Sequence, residues 1–133
     1  MTGPSRLLLR SAFASLACGL TLGVLFTLDR PLGAALRPMH VELNVWGFVT
    51  LMIYGVGLFI VPRFAGRPLR RLRLVRAVAI AAPAGVFLSA AGWLAAWQRM
   101  DIARGVLLAG GIAQAVAAGG FIVLIGELLL ARR

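Results

Sequence analysis

The chain has no lysine, a single histidine (His40), a single cysteine (Cys18) and four acids, Asp29, Glu42, Asp101 and Glu127. One cysteine excludes an internal disulfide, and one Cys with one His excludes a zinc cluster supplied by a single copy. A nucleophile, base and orienting group cannot be assembled around a lone imidazole. No Walker loop or dinucleotide fingerprint is present. The pairs Gly110-Gly111 and Gly119-Gly120 lie in apolar sequence and lack the strand that a fingerprint needs. Strand-like alternation is missing as well, which removes a transmembrane barrel. Charge is scarce: the chain is 14% charged and 61% hydrophobic, too little charge to cover a water-facing domain.

What is present is four long apolar runs, over about 7–28, 38–61, 77–97 and 102–130. Each has the roughly 20 mainly apolar residues that a spanning helix requires. The expected fold is therefore an all-α membrane protein, one four-helix transmembrane bundle over 1–133, because a helix satisfies its own backbone groups in lipid. Asp29-Arg30-Pro31 reads as the stop of the first run, and Pro38 and Pro62 bound the second. Pro38 suits a first helical turn, where its missing N–H costs nothing. Ser15-Leu16-Ala17-Cys18 faintly resembles a lipoprotein cleavage site. The apolar run continues past it, and Ser15 stands where an aliphatic residue is wanted, so an uncleaved first helix is expected. Cys18 reads as a small buried hydrophobe.

The net charge of +10 comes from arginines at the ends of the apolar runs, so membrane topology explains it and nucleic acid does not. Arg63, Arg67, Arg70, Arg71, Arg73 and Arg76 fall between the second and third runs. Arg6, Arg10, Arg132 and Arg133 fall in the tails. The opposite side has Arg30, Arg37, Arg99 and Arg104. Positive residues accumulate in the cytoplasm, which predicts both termini inside, a multi-pass inner membrane protein of bacterial type, and His40 near the outer face. Small residues recur every four positions: Gly19 and Gly23, then Ala81, Gly85 and Ser89, then Gly111, Ala115 and Gly119. Such stripes allow close helix approach within the bundle or in a dimer. Pro83 is expected to kink the third helix, and Trp93 and Trp97 suit an outer aromatic belt.

The most polar stretch inside a span is Arg37-Pro38-Met39-His40-Val41-Glu42-Leu43-Asn44. Ionisable groups in a membrane are costly and point to function. Helical steps put Arg37, His40, Asn44 and Gly47 on one face, continued by Leu51 and Tyr54. That face offers a rim cation for haem propionates, an imidazole for iron and a glycine gap for a flat macrocycle. The same residues also fit an interfacial histidine solvated by headgroups. Gln114 reads as an interhelical hydrogen bond.

Arg37-Pro38-Met39-His40, followed by an apolar helix that exits through Val61-Pro62-Arg63-Phe64-Ala65-Gly66-Arg67-Pro68, resembles the second helix of the haem–copper oxidase catalytic subunit. It is most similar to the C-type branch and to small stand-alone bacterial relatives of that subunit. The resemblance implies that His40 is an axial and metal ligand of haem b. It covers the second span and its exit only. The second axial histidine and the copper-site histidines of the family are missing, so oxygen reduction by this chain alone is excluded and no complete catalytic site is expected. Three arrangements complete the haem, in this order of preference: His40 from each of two copies in a homodimer, a five-coordinate site open to a gas, or Met100 as the opposite ligand. The functional expectation is a haem b protein of electron-transfer type in the lipid bilayer, exchanging electrons with quinol or another redox protein. The alternatives are a haem-based gas sensor and a cofactor-free assembly or scaffold subunit of a respiratory complex.

Overall fold

In the computed structural model, residues 3–130 are described, and they form four helices, each long and apolar enough to cross a membrane. These are α1 (Gly3–Leu28), α2 (Arg30–Phe64), α3 (Leu72–Trp97) and α4 (Ala103–Leu130). The described residues contain no strand. Arg132 and Arg133 lie outside the described residues.

The second helix starts eight residues earlier than the proline at position 38 suggests. Asp29 is an N-cap: its carboxylate accepts the Leu32 amide at 3.0 Å, and Pro31 sits in the first turn. That satisfies an otherwise orphaned donor and starts a helix at once. Asp29 is thus the whole connection between α1 and α2. Gly33 makes the tight reversal possible, since a Cβ there would lie 3.0 Å from Phe26. Pro38 and Pro62 are absorbed inside α2 and Pro83 inside α3 without ending either helix.

The middle of α2, Glu42–Thr50, is wound as a π-helix. Thr50 Oγ1 donates to the Val45 carbonyl five residues back, at 3.0 Å. Wide turns of this kind are rare and cluster at functional sites. This one also moves the face that α2 turns toward α1. His40, Asn44 and Gly47 face α1, but the next close approach comes at Gly55, against Leu8 and Leu9. Tyr54, expected on the same stripe, instead stacks on Phe121 of α4 with ring centroids 4.3 Å apart.

Helices α1 and α2 form one antiparallel pair, α3 and α4 a second, tighter one. The third helix touches all the others, whereas α1 and α4 do not meet. Without a hydrophobic force between helices in lipid, packing depends on small residues. Gly85 lies under Gln114, Gly92 under Leu107, and Gly120 under Val78. On α4 the packed line is Gly110, Ala117 and Gly120, while Gly111, Ala115 and Gly119 face outward. The stripe expected inside the bundle is thus not the line of small residues that packs there. Cys18 is likewise exposed on α1, not buried. The core is filled by Leu8, Leu43, Leu51, Val78, Val86 and Leu124.

Candidate functional site

His40 lies ten residues into α2, about 15 Å from its start at 1.5 Å per residue, and not at the helix end. Its ring rests on α1. Nδ1 is 2.9 Å from the Gly19 carbonyl oxygen. A carbonyl only accepts, so Nδ1 carries the proton and, in the neutral ring, Nε2 keeps its lone pair. Asn44 Nδ2 is 3.4 Å from the same nitrogen, but it already donates to the His40 carbonyl at 2.8 Å. A protonated Nδ1 cannot accept it, so the longer contact is proximity and the shorter one is the bond. Among the described residues Nε2 has no hydrogen-bond partner, and it is not sealed in the interior.

Two glycines of α1 make this seat. A Cβ at Gly19 would fall 2.5 Å from Asn44 Nδ2, and one at Gly23 would fall 3.2 Å from His40 Cε1. Phe26 closes the side toward the α1–α2 turn, its ring 5.4 Å from the imidazole and tilted by 57°. The Gly19/Gly23 spacing signals close packing in the sequence. That it receives His40 and Asn44 follows only from the way α2 reverses at Asp29.

The other expected site residues are less gathered. Gly47 faces α1 below Asn44 but opens no slot: Ser15 and Val86 fill its space, with Ser15 Cβ 2.5 Å from where a Cβ would stand. Arg37 is exposed one turn outward of His40 and makes no ion pair among the described residues. Met100 is half-exposed in the α3–α4 loop. The level of α3 that meets Glu42 is Ser89, about 12 Å along the helix short of Trp97, so Met100 lies well outward of His40.

Opposite the His40 face, Glu42 joins three helices. Gln114 Nε2 on α4 donates to Glu42 Oε1 and stands 3.1 Å from Ser89 Oγ on α3. Gln114 is near the middle of α4, so Glu42 is carried deeper than an interfacial position. The late start assigned to α2 hid this depth.

Among the described residues no three His, Cys, Asp or Glu side chains come together for a metal ion. A bare ion therefore lacks ligands from one copy. Haem makes a smaller demand, because the macrocycle brings its own four equatorial nitrogens and asks the protein for axial ligands alone. His40 Nε2 is the one nitrogen that this arrangement leaves for an axial bond among the described residues, so one copy offers a single imidazole ligand. No family model, curated protein or solved structure matches the chain.

Proposed function

We propose that the chain is a haem b-binding inner membrane protein of electron-transfer type, in which His40 Nε2 is an axial ligand and two copies share one haem. The observation that carries this is the Nδ1–H···O=C bond to Gly19. Metal-binding histidines use such a bond to fix the tautomer and ring orientation and to raise the basicity of the other nitrogen. The Arg37-Pro38-Met39-His40 resemblance points the same way. The single histidine of the chain favours a cofactor held between copies, where a second His40 supplies the opposite ligand. Arg37 would face the propionates at the rim, and Asn44 would keep the His40 turn rigid through its bond to the backbone. Haem supplies reversible one-electron chemistry when bound. Quinol and an outer redox protein are the partners that such a position serves. Arginine placement supports cytoplasmic termini and an outward-facing His40.

The packed interior supports a second reading, a cofactor-free assembly or scaffold subunit. A visible spectrum of the protein, purified in mild detergent from haem-replete cells, separates the two. The haem reading expects a Soret band that is lost in His40→Ala, with one haem to two chains. One haem per chain with a carbon monoxide shift indicates an open, gas-sensing site instead. A folded but colourless preparation removes haem and leaves the scaffold. Met100→Leu should leave the spectrum unchanged.

A further inference from the structure

At the opposite end of the molecule from His40, a cavity of about 610 Å³ opens between the end of α2 and the start of α3. Pro4 of α1 closes one side. Its walls are apolar, with Leu58, Phe59 and Val75 among them, and three arginines, Arg63, Arg67 and Arg76, stand in its lining. None of the lining residues is an acid. An adjoining groove, which Arg67 also lines, holds one, Glu127, and Arg71 pairs with it at 2.7 Å.

The arginines are arranged rather than scattered. Arg63 lies 3.6 Å over the Phe59 ring and donates to the Phe59 carbonyl at 2.7 Å. One amine of the guanidinium is spent on holding it at the rim, and the other donors remain. Gly66, at φ 63°, ends α2 in the left-handed conformation and turns the chain so that Arg67 comes back toward the same space. Helix α3 begins there without a side-chain cap, so its positive dipole end adds to the field.

The geometry points to a binding site for an anionic phospholipid, its phosphate among Arg63, Arg67 and Arg76 and its chains along the apolar wall. Charge complementarity selects the anion. Depth selects the lipid: Leu58 is six residues, about 9 Å, inside the end of α2, and a soluble phosphate would leave that wall uncovered. Basic pockets between transmembrane helices on the arginine-rich side take lipid headgroups in this way. The site does not depend on haem.

The test is native mass spectrometry of the full, delipidated chain in dodecyl maltoside, titrated with phosphatidylglycerol, with phosphatidylcholine and with inorganic phosphate. Phosphatidylglycerol should bind as one retained molecule per chain, at least about tenfold tighter than phosphatidylcholine. The triple variant Arg63→Gln, Arg67→Gln, Arg76→Gln should lose affinity on the order of a hundredfold. The control triple Arg6→Gln, Arg10→Gln, Arg73→Gln removes as much charge from the same side and should stay within about threefold. If the first triple fails to fold, Leu72→Trp, which crowds the wall and keeps every charge, must weaken binding instead. Equal losses in both triples, equal binding of phosphatidylcholine, unchanged binding in Leu72→Trp, or full displacement of the lipid by millimolar phosphate would each overturn the assignment.

Discussion

Ser15 Oγ is buried and has no hydrogen-bond partner among the described residues, yet it stands at one of the two places where α1 and the π-helical turn approach most closely, the other being Gly19 against Asn44. Contact is the reason it is tolerated. Gly47 Cα faces it with no room for a methyl group, and Val86 of α3 bounds the same space. Gly47→Ala should therefore destabilise the fold by about 1–3 kcal/mol, the usual cost of forcing a methyl into a packed interior. The double variant Gly47→Ala, Ser15→Gly should recover most of that loss. Thermal unfolding in detergent reads both, and an unaltered midpoint in Gly47→Ala would mean that the helices slide apart freely at this level. Cys18 behaves oppositely. It faces outward, and Cys18→Ala should change stability by less than about 0.5 kcal/mol, as surface substitutions do.

At the scale of elements, the hydrogen bonds of Gln114 connect α4 to α2 and α3 across a region with few other polar groups. Gln114→Leu leaves the Glu42 carboxyl short of a donor, and should cost about 1–3 kcal/mol. Gln114→Asn, too short to reach both partners, should fall between. Urea or detergent-induced unfolding followed by circular dichroism checks the order. How much of these elements can be read in the residues depends on the kind of signal. Four apolar runs are visible because lipid imposes length and composition. The polar stretch from Arg37 to Asn44 is visible because charge in a span is rare. Asp29-Arg30-Pro31 is visible too, but it is ambiguous, since the residues that stop one helix also cap the next. The π-helical winding has no compositional signature. Extending an ordinary helical stripe through it sends Tyr54 to α1, although it packs on Phe121 of α4. The same lack of a phase signal explains α4, where neighbouring glycines at 110 and 111 and at 119 and 120 make two stripes look equally good.

For the whole molecule, two hairpins pack side by side: α3 touches every other helix, α2 reaches α4, and only α1 and α4 do not meet among the described residues. The ion pair Arg71–Glu127 ties the α2–α3 loop to α4, with the two side chains 61% and 41% exposed. Exposure on that scale keeps its contribution below about 1 kcal/mol, so Glu127→Gln should unfold within a few degrees of the parent. Orientation has a direct measurement. In a Cys18→Ala background, a cysteine at Gly66 should resist a membrane-impermeant maleimide added to intact cells, whereas one at Gln98 should react. The reverse pattern would turn the molecule over and place His40 toward the cytoplasm.

Helix α2 holds 35 residues, and its apolar run over about 38–61 alone rises about 36 Å, whereas a hydrocarbon core is about 30 Å thick. Such an excess is relieved by leaning or by protruding. Because the reversal at Asp29 consists of one residue, α1 has to lean with its partner. Acyl chain length then becomes a control on the protein: in short-chain lipid both helices incline further, and His40 shifts relative to the bilayer centre.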